Sequence, residues 1–328
     1  MPDGMNMGGP PTYGGLQTFD GVTRDSAGAF LLGELERLDP ALHEPLVSIT
    51  WSRDIDLRSD ITTGDEWSSF TNSTFGASGG FATQGISWIG KATNAIQSVS
   101  LDIGKTALPL RLWAQELSYT MPELASAMQL GRPIDEQKFQ ALRLKNQMDI
   151  DQLVYIGDPL IGTTGITNLS QVTNVANVTG GAWTTNPDTM IAQINELLES
   201  VWEASGFAIV PSELRIPPLQ MSLLISTKVS SAGNVSVLRY IQENNLTTTN
   251  GAKPLNIQAS KWLKNRGSGN TQRMIAYTKE YDKVRFPMTP LQRTPLEWRS
   301  LYNLTTYWAR MGQVESPYPE TIGYRDGI

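Results

Sequence analysis

The sequence predicts an α+β protein in which a long helix acts as scaffold, a two-stranded excursion leaves the body, and an α/β unit interrupts the chain before it returns as strands. Three observations lead there. Pro133 to Ile156 carries helical spacing without a break. Between Glu66 and Lys91 there is no charged residue, yet the run WSSFTNSTFGASGGFATQGISWIG holds Trp67, Phe70, Phe75, Phe81 and Trp88. From Asn186 to about residue 285 helical and strand patterns alternate, and strand alternation resumes near Leu304.

The scaffold helix is justified at both ends. Pro133 suits a first turn, where its missing N–H costs nothing. Asp135 and Glu136 complement the positive end of the helix dipole. Phe139, Leu142, Leu144, Met148, Leu153 and Ile156 give an apolar face, and Gly157 with Pro159 stops the helix. At ~1.5 Å per residue it spans roughly 35 Å. The uncharged turn after it, Leu160 to Leu169, contains Gly162 and Gly165 and no obvious chemistry.

Before this helix, Asp25 or Ser26 caps a short helix through Leu38, with Phe30, Leu31, Leu35 and Leu38 on one face. It follows a Gly/Pro/Met-rich arm, and reads either as a docking element or as an ordinary surface helix. Leu46 to Leu57 is expected as a strand. The charge-free aromatic run is too polar for a core and too aromatic for a linker. It is expected to lie on another protein surface, with a mobile surface loop as the competing reading. Val99, Leu101 and Ile103 alternate in one phase and Leu108, Leu110 and Leu112 in the other, which predicts a bulge near Gly104. Thr120-Met-Pro-Glu123 is a capping box opening a helix through Met128.

After the scaffold helix, Asn186-Pro-Asp188 opens a second helix through Ala204. Met221 to Ser226 is expected as a buried strand, Val235 to Asn244 as a helix, and Leu255 to Ala259 and Arg273 to Thr278 as strands. Leu304 to Val314 returns as a strand, and Tyr318-Pro319 with Ile322 marks a final edge element.

Composition bounds the chemistry. Forty per cent of the 328 residues are apolar, enough for a real core. No stretch of about 20 residues is apolar enough to span a bilayer, and the opening MPDGMNMGGPPTYGG lacks the marks of a signal peptide. With no cysteine and one histidine, His43, thiolate and paired-histidine sites are excluded. Residues 1–60 hold ten acids and four bases and carry the whole net charge of −6; residues 61–328 hold twenty-two of each. No basic stripe for a nucleic-acid backbone is expected. Glu116, Glu123 and Glu297 are candidate carboxylates for a hydrolase, but nothing in the spacing brings two together. Asp149 and Asp151 lie two apart on a helix and face different ways. The Gly79-Gly80 and Gly180-Gly181 pairs lack a phosphate-loop setting, and no nucleophile elbow is present. No catalytic, cofactor or metal residue is expected.

The order of parts resembles that of tailed-phage major capsid proteins of the HK97-like (Hong Kong 97-type) fold, and of the related encapsulin shells. YIGDPLIGTTGITNL is similar to that family's helix-exit turn, and TYWARMGQVESPYPETIGYRDGI to its last strands. NPDTMIAQINELLESVWEASG with PSELRIPPLQMSLLIS resembles the start of its axial domain. The resemblance implies an N-terminal arm over residues 1–45 and an extended β-hairpin loop with its flanking strand over 46–106. It implies a peripheral domain with the spine helix over 107–185 and 286–328, and an axial domain over 186–285. It further implies pentamers and hexamers of the chain in an icosahedral virion shell. That shell would assemble in the host cytoplasm and enclose double-stranded DNA without sequence-specific binding. Scaffolding, portal and decoration proteins are the other implied partners. Trp67, Phe70, Phe75, Phe81 and Trp88 become candidates for inter-subunit contact. Some relatives join an excursion lysine to a neighbour's asparagine, for which Lys91 is the candidate and a plain surface lysine the alternative. An encapsulin-type compartment and a soluble hydrolase are the rival readings.

Overall fold

The computed structural model describes residues 46–77, 99–130, 134–175, 181–184, 186–230, 233–250 and 253–328. The chain divides into two compact units, Met1–Val47 and Ser48–Ile328, and the elements below lie in the second. The expected helix ending at Leu38, the residue His43 and the stretch holding Phe81, Trp88 and Lys91 lie outside the described residues.

A helical turn α1 (Trp51–Asp54) leads to β1 (Asp56–Arg58). The hairpin β2 (Trp67–Ala77) and β3 (Val99–Pro109) follows, then β4 (Arg111–Thr120), α2 (Met121–Leu130) and the spine helix α3 (Ile134–Tyr155). Next come β5 (Thr173–Val175), α4 (Pro187–Ala204), β6 (Glu213–Ile216), α5 (Pro218–Ser226), α6 (Val237–Glu243), α7 (Leu246–Asn250) and β7 (Asn256–Ala259). The chain ends with β8 (Arg273–Tyr277), β9 (Arg285–Pro287), β10 (Gln292–Arg293), β11 (Glu297–Arg299), β12 (Tyr302–Met311) and β13 (Ile322–Asp326).

One mixed sheet, in the order β5-β13-β8-β6-β7, separates two apolar cores. The period of two along β8 decides which side chain goes where. Met274 and Ala276 enter the core formed with α4, α5 and α6, while Ile275 and Tyr277 enter the core formed with the C-terminal half of α3. A second sheet pairs β12 with β10 and β11 on one side and with β4, over ten residues, on the other. Tyr307 of that sheet meets Phe139 of α3 with ring centroids 5.4 Å apart.

The caps form as expected. The Thr120 hydroxyl accepts from the Glu123 N–H at 3.3 Å and the Glu123 carboxylate from the Thr120 N–H at 3.4 Å. Asn186 caps α4 by accepting from the Asp188 N–H. The exit from the spine helix is tightly built. A helix leaves its last carbonyls without intrahelical partners; here the Val154, Tyr155 and Ile156 carbonyls accept from the Ile166 N–H, the Thr167 N–H and the Asn168 amide at 2.8, 3.0 and 2.9 Å. The loop folds back so closely that a Cβ on Gly165 would lie 2.3 Å from the Tyr155 carbonyl carbon, and Gly157 has φ of +77°.

Several expectations are corrected. Met221 to Ser226 is not a strand but part of helix α5. Pro217 and Pro218 start that helix, and only Gln220 and Leu224, one turn apart, are fully buried in it. Leu46 to Leu57 is not one strand, because a buried carboxylate, Asp151, accepts from the Thr50 and Trp51 N–H groups and fixes the turn α1 ahead of β1. No bulge interrupts the hairpin: β2 and β3 pair continuously from Trp67↔Pro109 to Ala77↔Val99. The change of phase arises because Val99, Leu101 and Ile103 face solvent while Leu108 sits where the hairpin meets the body. The spine helix buries only part of the face expected from apolar spacing. Leu142 and Ile156 of that face are buried, together with Asn146, Ile150 and Val154, whereas Phe139 and Met148 are exposed. The last strand, β13, is no edge element, since it lies between β5 and β8.

Candidate assembly surfaces

Among the described residues, the hairpin is held to the body most densely at its base. Arg58, on β1, donates through Nη1 to the Ser68 hydroxyl at 3.0 Å, to the Ser69 carbonyl at 3.1 Å and to Glu315 at 3.0 Å. Glu315 is fully buried. It also accepts from Arg285 Nε at 2.7 Å and from the Ser68 hydroxyl, and its backbone bridges Arg285. A carboxylate held by two guanidiniums thus ties β1, β2, β9 and the tail together. Farther out, Asn72 donates to the Pro317 carbonyl at 3.2 Å.

Beyond this clamp the two faces of the hairpin differ. On the even-numbered face Phe70 is half-buried and, with Leu108, lines a cleft of about 220 Å³ whose far wall includes Leu169 and Val314. On the odd-numbered face Trp67 is 60% exposed, and Val99, Leu101 and Ile103 are 72%, 54% and 62% exposed. Phe75 lies on β2 opposite Leu101. Of the five aromatic candidates, then, Trp67 is open to solvent and Phe70 is turned to its own body. Phe81 and Trp88 lie outside the described residues. The odd-face apolar row is unusual because four large apolar side chains are exposed on a two-stranded ribbon, which among the described residues has no second layer packed on that face.

Other apolar groups stand out from the body. The tip of the spine-helix exit loop presents Leu160, 94% exposed. The β11–β12 hairpin presents Trp298 and Leu301. Leu301 is held in place by its carbonyl, which accepts from the Met121 N–H at 3.0 Å.

The candidate carboxylates do not converge. Glu116 sits opposite Thr306 on one side of β12 and Glu297 opposite Leu304 on the other, so a whole strand divides them. Glu297 starts β11. Glu123 pairs with Lys138 at 2.8 Å. Asp149 accepts from the Trp113 indole, whereas Asp151 accepts from Thr50, Trp51 and the Trp262 indole, so the two do point apart. Among the described residues, no group of three or more His, Cys, Asp and Glu side chains could hold a metal ion. No described helix is long and apolar enough to cross a membrane.

The family model described as Major capsid protein matches residues 85–328, well over half the chain. The chain belongs to the major capsid protein family. This capsid protein is similar to the capsid of the Myoviridae phage XM1, with a TM-score of 0.72 and 18% identity over 90% of this chain and 98% of that one. It is similar to a chain of Gordonia phage Cozz, with a TM-score of 0.56 and 14% identity over 97% and 96% of the two chains. It is also similar to the capsid of the native GTA particle, with a TM-score of 0.57 and 12% identity over 92% and 98%. No protein of curated function matches in sequence. At these identities the likeness is one of fold, the HK97-like capsid fold.

Sequence reasoning about this capsid protein missed two things. The clamp of Arg58, Glu315 and Arg285 joins residues up to 257 apart in the chain, and nothing local marks it. Val99, Leu101 and Ile103 read as an ordinary half-buried strand; the available signal was their position at the end of a long charge-free excursion, which leaves no second layer to bury them.

Proposed function

We propose that this capsid protein assembles as pentamers and hexamers of itself into an icosahedral shell that encloses double-stranded DNA, without catalysing a reaction or holding a cofactor. The observation that carries the reading is the odd face of the β2–β3 hairpin, apolar and uncovered within its own copy. Fully burying a Val, Leu or Ile side chain contributes about 1.5–3 kcal/mol. A neighbour that covers Val99, Leu101 and Ile103 therefore gains several kcal/mol per contact before ordering costs. Of the aromatic candidates Phe75, on β2 opposite Leu101, is nearest that row, and the exposed Trp67 extends the same face towards the base; Phe81 and Trp88 are further proposed contacts, and Phe70, on the opposite face, is the weakest of the five. Head-to-tail contacts of this kind close into rings when the rotation fits.

The proposed division is an arm over residues 1–45, a hairpin region over 46–106, a peripheral domain over 107–185 and 286–328, and an axial domain over 186–285. The core built on α4, α5 and α6 supports it, since all but Trp183 and Ile328 of its buried residues fall within 186–285. The neutral balance of residues 61–328 supports enclosure of DNA in place of tight binding. The proposed setting is the virion after assembly in the host cytoplasm, with scaffolding, portal and decoration proteins as further partners.

The test is light scattering followed by negative-stain imaging of the purified chain, alone and with the phage's scaffolding protein. Closed particles hundreds of ångströms across are expected. A chain that stays monomeric under both conditions would overturn the reading.

A further inference from the structure

We propose that Gln147, Asp151 and Tyr155 of the spine helix are positioning residues for the hairpin of their own copy: they grip α1, and α1 with β1 carries that placement to the hairpin base. Their role in assembly rests on the shell reading above, whereas the aiming of the hairpin stands without it.

The three residues lie four apart on α3, so they form one polar stripe along a single face. Each meets α1 at a different point. Gln147 Oε1 accepts from the Trp51 indole at 2.9 Å. Asp151 Oδ1 accepts from the Thr50 and Trp51 N–H groups at 2.9 and 3.0 Å. Its Oδ2 accepts from the Trp262 indole at 2.7 Å and lies 3.3 Å from Lys261 Nζ. The Tyr155 hydroxyl bonds Thr50 Oγ1 at 2.9 Å and donates to Asp54. Asp151 and Tyr155 are 1% and 2% exposed, so water does not compete for these bonds. A single helical turn has no stability of its own. Burial of apolar surface is non-directional, whereas hydrogen bonds at three heights fix the rotation of α1 as well as its depth.

The placement is passed on without slack. Only Ile55, 2% exposed, separates α1 from β1. The Tyr277 hydroxyl donates to the Asp54 carbonyl and Lys279 Nζ to the Arg53 carbonyl, each at 2.7 Å. β1 pairs in parallel with β9, and its last residue is Arg58, which holds Ser68, Ser69 and Glu315 at the hairpin base. Bonded and packed groups therefore run unbroken from α3 to β2, a connection able to carry a displacement. The leverage is large. Eleven paired residues span ~36 Å, so turning the base by about 10° moves the far end of the β2–β3 ladder by roughly 6 Å. An apolar row displaced that far no longer fits a complementary surface.

A distance measurement on the unassembled protein tests the aiming. The chain has no cysteine, so spin labels can be attached at Ile103→Cys on the hairpin and Glu199→Cys on α4, both exposed positions. Pulsed electron spin resonance is expected to give one narrow distance in this parent. Asp151→Asn has one acceptor oxygen for donors on two sides, and Tyr155→Phe loses the hydroxyl. Each is expected to broaden the distribution roughly twofold, as local contacts that held the base are lost. Ile241→Ala, which opens the core on α4 and touches none of the stripe, is expected to leave the width unchanged. Unchanged widths in both stripe variants overturn the proposal, and so does equal broadening in Ile241→Ala, since general loosening would then suffice. If Asp151→Asn does not fold, Tyr155→Phe and Gln147→Ala decide the same question. Stripe variants are also expected to lower particle yield, and broadened distances with the parent's yield overturn the role in assembly. A parent that forms no particles removes the shell reading, while the distances still decide the aiming.

Discussion

Asp54 is 1% exposed, and its carboxylate is surrounded by donors. Arg215 Nε, itself on a buried side chain, donates at 2.9 Å; Arg53 donates through Nε and Nη2; and the Tyr155 hydroxyl completes the set. Burial alone pushes the Asp54 pKa up, but the Arg53 hydrogen bond, the Arg215 charge and the Tyr155 hydrogen bond outweigh it and hold the pKa below the ordinary value. Burial, with the charge of Asp54 beside it, pushes Tyr155 well above the usual tyrosine range, so the phenol remains a donor. The sign for stability follows. A carboxylate with a folded pKa below its unfolded value of about 3.9 contributes stability that is fully present above that value and is lost as pH falls through the folded one. Urea midpoints of the unassembled protein are therefore expected to drop below about pH 4, and Asp54→Asn is expected to flatten that drop. At neutral pH Asp54→Ala is expected to destabilise by about 1–3 kcal/mol, because Arg215 Nε and the Tyr155 hydroxyl lose their buried acceptor while Glu213 still pairs with Arg215 Nη2. A midpoint insensitive to pH between 2.5 and 4 would contradict this account. None of it was legible in the sequence, where Asp54 is one charge in the run WSRDID. Apolar spacing cannot distinguish a buried carboxylate from a solvated one; Asp151 and Asn146 on the spine helix hide in the same way, which is why the buried stripe was misplaced.

At the scale of elements, the spine-helix exit was legible because glycine and proline punctuate it, and the reason lies in close backbone approach. A Cβ on Gly157 would lie 2.3 Å from the Thr163 carbonyl oxygen, whereas nothing lies within 4 Å of one on Gly162, although both have positive φ. Gly162→Ala is thus expected to destabilise by only the left-handed backbone penalty of about 1–2 kcal/mol. Gly157→Ala and Gly165→Ala are expected to cost distinctly more, since the backbone that would have to move also caps the helix. Thermal unfolding of the three variants checks the order, and equal shifts would refute it. The run MSLLIS failed at this scale because a six-residue, mostly apolar run fits a strand or a buried helix equally, and the deciding proline pair lies just outside it. The hairpin gives a second element-scale test. Glu315→Gln removes the carboxylate charge that pairs with both Arg58 and Arg285 at its base, so amide hydrogen exchange over residues 68–74 and 101–108 is expected to quicken. Unchanged exchange there would mean that the clamp does not set the hairpin's position.

At the scale of the whole molecule, the capsid fold was readable from the order of motifs, but the way its strands join into sheets was not. Pairing of β13 with β8, and of β5 with β13, is a long-range choice that local pattern does not fix. Its consequence is that one sheet serves both cores, with neighbouring residues of β8 belonging to opposite sides. Two domains joined by a linker unfold separately when little is buried between them. Here, loss of either core strips one face of β8 and β13 and exposes the backs of side chains packed in the other. Leu197→Ala and Ile150→Ala, one fully buried residue from each core, are each expected to destabilise by about 2–5 kcal/mol. Calorimetry of the unassembled protein is expected to give one transition, and both substitutions are expected to lower it as a whole. If Leu197→Ala instead split the trace and left an unshifted peak, the sheet would not couple the cores, and the peripheral part could be expressed and folded without the axial one.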